Sequence, residues 1–195
     1  MKIDRLVVGE LDTNCYVVSS QQDNAFIIDP GDEPQKIKEF LSEHKLKALF
    51  IVNTHGHFDH VGAAADLGLP VYIHEKDRVM ISEPAKNVMS MFFKSFKPIE
   101  PDRLLRDGDT ITLDELKFKV IHTPGHSPGS LCLYSDGVLF SGDTLFKFGV
   151  GRTDFPGANP KLMDESLKKL SRLESDIIVY PGHGPDTTIG REFNG

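Results

Sequence analysis

The chain has 195 residues, of which 39% are hydrophobic and 26% charged, and its formal net charge is −7. This length suits one compact domain with a substantial core, and the acidic balance disfavours a nucleic-acid partner, because proteins that bind nucleic acid usually carry a basic patch. No stretch approaches the roughly 18 consecutive apolar residues of a membrane span, and the N-terminus lacks the layout of a signal peptide. We therefore expect one domain over residues 1–195, soluble and cytoplasmic, with no membrane partner.

Short apolar runs separated by turn residues predict strands through most of the chain. In chain order they cover residues 14–18, 25–28, 49–52, 71–73, 116–121, 131–134, 138–140 and 177–179. Two helices are also predicted. The first covers residues 34–44 with Asp32 as its cap, and the second runs to about residue 173 with Asn159 as N-cap and Pro160 in its first turn.

This order of elements favours an α/β fold of the αββα sandwich type, with two mixed sheets flanked by helices, over a doubly wound parallel sheet. Residues 82–101 follow neither the helical nor the strand period. We expect a mobile lid or a short helix over the site there, and a buried structural helix is an equally good interpretation. Cys15 and Cys132 lie in apolar runs, which indicates buried free thiols.

The densest group of potential metal ligands lies in residues 50–62, which read FIVNTHGHFDHVG. An apolar strand is followed there by a loop that carries His55, His57, Asp59 and His60. Imidazole is the commonest ligand for zinc and similar divalent ions. Alternate spacing lets His55 and His57 converge on one ion, while Asp59 and His60 face elsewhere, which indicates a second ion.

The same layout recurs later in the chain. His126 lies in VIHTPGHSPG, Asp143 in LFSGDT and His183 in IVYPGHG, and each follows an apolar strand in a glycine-containing turn. Five of the eight histidines therefore occupy strand-end turns, where random placement would scatter them. The sequence predicts a metal centre formed by these later turns together with the first loop.

The remaining histidines have structural interpretations. His44 ends a helix, where a cation interacts favourably with the helix dipole, and His74 closes a short strand. His122 can support a ligand by a hydrogen bond, but we favour a satisfied core histidine there.

The motifs THGHFDH, PGHSPG, SGDT and PGHG, in this order, resemble the metallo-β-lactamase superfamily over almost the whole chain. The resemblance implies the αββα fold of that superfamily and two divalent metal ions, with zinc expected and iron or manganese as alternatives. It implies one metal bound by His55, His57 and His126, and a second bound by Asp59, His60 and His183. Asp143 would bridge the two metals, and Asp59 and Asp143 would be the catalytic carboxylates.

Within that superfamily, GDTLFKFGVGRTDFPGA and PGHGPDTTIGRE look like the short glyoxalase II-like hydrolases. Full-length glyoxalase II carries an additional C-terminal helical region that helps to bind glutathione, and we expect no such domain here. The pattern GRTDF at residues 151–155 is also shared with persulfide dioxygenases, which use one iron on the same fold. The alternative is therefore a mononuclear iron dioxygenase in which His55, His126 and Asp143 hold the iron.

We expect a binuclear hydrolase, a thioesterase resembling hydroxyacylglutathione hydrolases, that acts on a thioester or related small acyl compound. Metal-bound water, with its pKa lowered to about 7, would supply a bridging hydroxide. The leaving group of a thioester is a thiolate, which needs little help from a general acid because the pKa of its thiol is about 8.5. The positive centre would attract an anionic small-molecule substrate. Lys147 and Arg152 are candidate substrate-binding residues, and an ion pair between Arg152 and Asp154 is an equally good interpretation.

Overall fold

The structure is a computed structural model that describes residues 1–83 and 96–194. Within these residues, six strands form a first mixed sheet and lie side by side in their sequence order. The first three strands pair antiparallel, and the third to the sixth pair parallel. These strands are β1 (Lys2–Val8), β2 (Thr13–Ser19), β3 (Asn24–Ile28), β4 (Lys47–Val52), β5 (Val71–His74) and β6 (Arg103–Leu105).

The second sheet is also mixed and has the order β14-β13-β10-β9-β8-β7 within the described residues. Its pairs are antiparallel except for β10 and β13, which are parallel. A small hairpin, β11 (Leu145–Phe146) with β12 (Gly149–Val150), lies outside both sheets. The strands of the second sheet are β7 (Thr110–Leu113), β8 (Leu116–His122), β9 (Leu131–Ser135), β10 (Val138–Gly142), β13 (Ile178–Pro181) and β14 (Thr187–Thr188).

Helices are short apart from two, which correspond to the two predicted from the sequence. The two longer helices are α1 (Pro34–Glu43) and α5 (Pro160–Leu170). The short ones are α2 (Phe58–Val61), α3 (Ala64–Leu67), α4 (Arg78–Ser82) and α6 (Ile189–Phe193), with a 3-10 turn at Glu75–Asp77. The N-cap of α5 is confirmed, because Asn159 Oδ1 accepts a hydrogen bond from the N–H of Leu162 at 3.2 Å. The predicted Asp32 cap is wrong: Glu33 is the N-cap residue of α1, and Asp32 accepts from the Glu33 N–H instead.

The central strands β2, β3, β9 and β10 bury both of their faces, because side chains alternate across each strand and each sheet is covered on both sides there. In β2, Tyr16 and Val18 join the aromatic core between the two sheets, whereas Cys15 points to the cluster under the helices. In the second sheet, Cys132 and Leu139 pack on the opposite side, against α5 and α6 residues such as Leu170. The four layers are helix, sheet, sheet and helix, which confirms the predicted αββα sandwich.

Each predicted strand overlaps an observed one, and both cysteines are buried and free as expected. The sequence patterns did not predict β1, β6, β7, β11, β12 and β14, nor the short helices. Most of the segment 82–101, interpreted as a lid or a helix, lies outside the described residues. Of its described part, Phe96 and Ile99 are buried in the cluster beneath the first sheet. Among helices within residues 1–83 and 96–194, none is long and apolar enough to cross a membrane.

Candidate metal centre

All seven side chains predicted as ligands lie at one end of the sandwich, in loops that follow strand ends. The loop after β4 carries His55 and His57 and leads into α2, which carries Asp59 and His60. His126 follows β8, Asp143 follows β10, and His183 follows β13. The two sheets are tied together at this end, since the N–H of Leu131 donates to the carbonyl of Thr54 at 2.9 Å. The fold therefore brings together residues that span most of the chain.

The first group contains His55, His57 and His126, which can hold one metal ion by their mutual spacing. His57 Nδ1 lies 2.8 Å from His126 Nε2, and the His55 ring lies against both, with ring centroids 4.7 and 4.8 Å away. All three side chains are buried, with exposed fractions of 3% or less. Three imidazoles that converge in this way form a typical site for a divalent ion.

The second group contains Asp59, His60 and His183. His183 Nε2 lies 3.3 Å from both His60 Nε2 and Asp59 Oδ2, and His60 Nε2 lies 3.5 Å from Asp59 Oδ2. Ligand atoms about 2.1 Å from one tetrahedral ion are about 3.4 Å apart. The second group therefore has the spacing of a ligand set before any ion is considered.

Asp143 lies between the two groups. Its Oδ1 is 3.4 Å from His60 Nε2, and its Oδ2 is 3.5 Å from His126 Nε2 and 3.6 Å from His183 Nε2. One carboxylate thus faces an atom of each group at ligand spacing. This is the position that the sequence assigned to a bridging ligand.

Hydrogen bonds behind the rings fix which nitrogen faces the centre. The Nδ1–H groups of His126 and His183 donate to the carbonyls of Arg152 at 2.8 Å and Leu11 at 3.0 Å. His55 Nδ1 lies 3.1 Å from Thr54 Oγ1, which itself donates to a carboxylate. Each of these rings therefore presents the unprotonated Nε2 to the centre, as a metal ligand requires.

Asp29 lies behind the ligand groups and supports them by hydrogen bonds. Its carboxylate accepts hydrogen bonds from the backbone N–H of Thr54 at 2.7 Å, from Thr54 Oγ1 at 2.6 Å and from His60 Nδ1 at 2.9 Å. Asp29, His55 and His60 are also close enough to form a third group of possible ligands. Because three donors already occupy the Asp29 oxygens, Asp29 is better placed to orient His60 than to bind an ion itself.

Two buried atoms of the cluster have no hydrogen-bond partner among the described residues, His55 Nε2 and Asp143 Oδ1. A buried polar atom without a hydrogen-bond partner lowers the stability of the fold. Its presence among other ligand-type atoms therefore indicates a metal ligand. Both atoms face the two groups described above. The donor set, five imidazoles and two carboxylates, fits a pair of divalent ions.

The electrostatics differ between the two groups. Burial, with repulsion from neighbouring imidazoles, holds the pKa of His55 well below its ordinary value and lowers that of His57 to about 3. Burial also lowers the pKa of His60, but the surrounding carboxylates outweigh it and raise the value to about 10. His55 and His57 of the first group are thus held in the neutral form that binds a cation, whereas His60 of the second group favours a proton that a cation must displace.

Gly182 permits the close approach of the second group. A Cβ at this position would lie 2.2 Å from Asp143 Oδ1 and 2.7 Å from His60 Cε1. Atoms cannot approach so closely, so any side chain would push the carboxylate or the imidazole aside. The glycine before His183 in the PGHG motif is therefore a packing requirement of the centre.

A cavity of about 700 Å³ opens onto the cluster. Its apolar walls come from Leu11, Phe146, Val150 and Phe155, and its floor includes ligand-type residues of both groups. The 11-residue lining also contains Arg152. A volume of this size lies in the range of small-molecule binding sites.

The two candidate substrate-binding residues differ in placement. Arg152 lines the cavity, and its guanidinium donates twice to the Asp154 carboxylate, each time at 2.7 Å, and lies 4.0 Å from the centroid of the Phe155 ring. The ion pair considered from the sequence is therefore present. Lys147 is absent from the described lining, and its Nζ lies 5.8 Å from the centroid of the exposed Phe148 ring.

The other histidines lie away from the cluster, as interpreted from the sequence. His44 stacks on Phe40, and the rings of His74 and His122 stack on each other with centroids 4.0 Å apart. His122 Nε2 bonds the carbonyl of Pro128 at 3.0 Å.

Two buried carboxylates next to the centre, Asp29 and Asp77, escaped the sequence analysis. Asp29 ends the apolar run FIID, so the strand-end rule that selected the ligands would also have found it. Asp77 lies in the turn after β5, and its partners are mostly backbone N–H groups, which leave no mark in a sequence. Burial raises the pKa of Asp77.

The fold and the cluster together define an αββα protein with a candidate two-metal centre. A family model described as the metallo-beta-lactamase superfamily matches residues 8–183. The chain therefore belongs to the metallo-beta-lactamase superfamily, which confirms the resemblance carried by the four motifs.

Individual proteins agree with this assignment. The hydroxyacylglutathione hydrolase GloC of Haemophilus influenzae is 35% identical over 201 residues, which cover 98% of this chain and 95% of GloC. The crystal structure of BLEG-1 B3 metallo-beta-lactamase is 38% identical with a TM-score of 0.91, covering 100% of this chain and 97% of that one. The structure of TTHA1623 in a di-iron-bound form is 41% identical with a TM-score of 0.88, covering 97% and 96%.

Proposed function

We propose that the protein is a binuclear metal-dependent hydrolase that cleaves a thioester or a related small acyl compound. The observation that carries the proposal is the pair of ligand groups joined by Asp143, whose oxygens lie 3.4 to 3.6 Å from imidazole nitrogens of both groups. Membership of the superfamily supports a metal-dependent hydrolase, and the likeness to GloC supports the thioester.

In this proposal His55, His57 and His126 would hold the first ion, Asp59, His60 and His183 would hold the second, and Asp143 would contribute to both. A divalent pair bound there would supply a water with a pKa of about 7 and Lewis acidity toward a carbonyl oxygen. The likeness to a di-iron-bound structure supports iron beside zinc or manganese as the ion.

The chain's own residues supply orientation and exclude water. Asp59 and Asp143 would offset only part of the charge of two divalent ions, which would leave the floor of the cavity positive and attractive to an anionic substrate. Phe146, Val150 and Phe155 provide an apolar wall for the acyl or thiol half of the substrate. Arg152 remains a candidate for a substrate carboxylate, held at the rim by Asp154. We also propose that the protein works in the cytoplasm, because it has an acidic net charge and its two cysteines are buried and free.

The test begins with the metal content of protein purified without added metal. We expect about two divalent ions per chain and hydrolysis of an acyl-thiol substrate that a chelator abolishes and added metal restores. The matched variant is Asp143→Asn, which retains one oxygen and should lose most of the activity. A well-folded protein with two metals that cleaves no thioester would contradict the substrate class.

The mononuclear alternative gives a different result in the same measurement. One iron per chain, with oxygen consumption in the presence of a persulfide, would replace the hydrolase by a dioxygenase.

A further inference from the structure

We propose that Asp77 is a positioning residue for the first metal site, because its buried carboxylate ties together the two separate loops that carry His55, His57 and His126. The inference rests on the metal assignment of the proposed function. It concerns a residue that belongs to neither ligand group.

The contacts of Asp77 join two loops that are about seventy residues apart in the sequence. Asp77 Oδ2 accepts a hydrogen bond from the N–H of Gly56 at 2.9 Å and another from Ser127 Oγ at 2.6 Å. Asp77 Oδ1 accepts from the N–H of Gly129 at 2.6 Å. Gly56 lies between His55 and His57, and Ser127 directly follows His126. One carboxylate therefore fixes the backbone next to all three imidazoles.

The hydroxyl groups extend this connection through the second loop. The single proton of Ser127 Oγ is donated to Asp77, so the neighbouring contact of 2.7 Å with Ser130 Oγ has Ser130 as its donor. Ser130 Oγ also accepts from the N–H of Ser127 at 3.0 Å. The loop after His126 is thus closed on itself and anchored to Asp77 at the same point.

Close packing fixes the position of the carboxylate as well. A Cβ on Gly129 would lie 2.6 Å from Asp77 Oδ1, so the loop backbone lies directly against the carboxylate. Asp77 is 0% exposed. There is no room for a side chain at position 129 or for a displaced carboxylate. Movement of either loop would break a hydrogen bond to Asp77.

The three donors require an acceptor on both oxygens. Asparagine has nearly the same shape but offers one oxygen and one NH₂ group, and the NH₂ group would face an N–H or O–H donor. The substitution therefore leaves a buried donor without an acceptor and pushes one of the two loops away. Changes behind metal ligands typically weaken metal binding by about 10-fold to 100-fold.

The experiment compares the two metal sites within one folded protein. Zn²⁺ affinities are measured by competition with a chromophoric chelator in the full chain, and the variants His57→Ala and His183→Ala identify which affinity belongs to which site. We expect Asp77→Asn to weaken the first site about 10-fold or more. The second site, held by Asp59, His60 and His183, should change less than about threefold.

The matched control is Asp102→Asn. Asp102 Oδ2 also accepts a backbone hydrogen bond, from Val71 at 2.9 Å, at the opposite end of β5 from Asp77. It should leave both affinities unchanged. A folded Asp77→Asn protein with an unchanged first site, or with both sites weakened equally, would overturn the proposal, since equal weakening indicates a general structural role.

If Asp77→Asn fails to fold, Ser127→Ala decides the question, because it removes one of the three hydrogen bonds. An unchanged first site in that variant overturns the inference, and selective weakening of that site supports it. Wild-type protein that binds no metal would contradict the proposed function itself, whereas two metals in the wild type with an unchanged first-site affinity in the variant would contradict the Asp77 assignment alone.

Discussion

Four of the five imidazoles of the centre are held from behind by hydrogen bonds to the protein. His60 donates to the buried Asp29 carboxylate, His126 and His183 donate to backbone carbonyls, and His55 contacts a threonine hydroxyl. The supports of His60 and His55 are linked, because the Thr54 hydroxyl also donates to Asp29. The carbonyls behind His126 and His183 belong to Arg152 and Leu11, so a change behind either of these rings should affect one site more than the other.

Asp29→Asn tests the carboxylate that orients His60 directly and contacts His55 through Thr54. The amide would face the donors on Thr54 and His60 with an N–H group, so His60 loses its fixed orientation. We expect the affinity of the second metal to fall by roughly 10-fold to 100-fold. Metal retained per chain after dialysis gives the measurement. Asp66→Asn, which removes only a surface ion pair with Lys97, should retain both metals.

His74 predicts a pH dependence of stability. Burial, with the neighbouring His122 and Lys76, lowers the pKa of His74 to about 4 in the folded protein, whereas the unfolded chain has an ordinary value of about 6.5. A lowered histidine pKa means that the folded state binds the proton less tightly. Its stabilising contribution is therefore complete above about pH 6.5 and is lost as the pH falls towards 4.

The matching experiment uses His74→Phe, which keeps a flat ring against His122 but cannot be protonated. We expect the melting temperature of the variant to fall less between pH 7 and pH 4.5 than that of the wild type. Differential scanning calorimetry at both pH values measures the difference. Equal decreases in the two proteins would assign the acid sensitivity to other groups.

The ligand residues could be predicted from the sequence, because histidine and aspartate in strand-end turns carry their chemistry in their identity. Asp29 ends an apolar run and could have been found by the same rule, whereas Asp77 could not, since its role arises mostly from backbone N–H groups brought near by folding. Arg152 shows a further limit. The sequence was compatible both with substrate binding by Arg152 and with an ion pair to Asp154. Only the structure shows the guanidinium paired at the cavity rim.

At the scale of elements, the centre depends on turns that contain no side chain at critical points. Gly182 lies between β13 and His183, and Gly151 follows β12, where a Cβ would meet the Asp143 carbonyl oxygen at 1.9 Å. The strands provide rigid ends, and the glycines let the loops meet. The glycines in these motifs are therefore as necessary to the site as the ligands.

Gly182→Ala should displace Asp143 or His60 and reduce bound metal to about one ion per chain or fewer, because the added carbon overlaps both side chains. Elemental analysis of the purified variant measures the loss. Gly149→Ala is the matched control, since Gly149 lies in the nearby hairpin with open space around its Cβ position. If both variants bind the wild-type amount of metal, the close approach at Gly182 is unimportant.

The predicted strands were recognisable because they form apolar runs bounded by turn residues. The missed elements have physical reasons. β1 is an edge strand whose residues are largely exposed, β6 has three residues, and α2, α3 and α4 are too short to show a helical period. α5 was recognisable from its cap, although it ends at Leu170 rather than at residue 173.

At the scale of the whole molecule, bound metal is expected to add to the stability of the fold, because ions that bind only the folded state stabilise it by mass action. At a free-metal concentration of 100 times the dissociation constant, the gain is about 2.7 kcal/mol. We expect a chelator to lower the melting temperature and added Zn²⁺ to restore it.

A double variant, His57→Ala with His183→Ala, provides the control for this experiment, since it removes a ligand from each site. Its melting temperature should respond little to chelator. A wild-type melting temperature that is the same with and without chelator would show that no metal is bound under those conditions.

The αββα architecture was predictable from the sequence because the order of strands and helices limits how layers can stack. The contact between β2 and the end of β13 was not predictable, because a local sequence pattern cannot show which distant segments meet. The N–H of Asn14 donates to the carbonyl of Gly182 at 2.7 Å, and its side chain donates to the carbonyls of Pro181 and Gly184. These bonds fix His183 against the beginning of the chain.

This contact between the two ends of the sequence sets an order for assembly. A ribosome releases the chain from its N-terminus, so His55, His57 and His126 emerge well before His183, whose ring bonds the carbonyl of Leu11. The residues of the first trio are therefore all synthesised before His183, which completes the second trio. A chain that stops before His183 lacks a ligand of the second group, so full loading with two metals would require translation through this position.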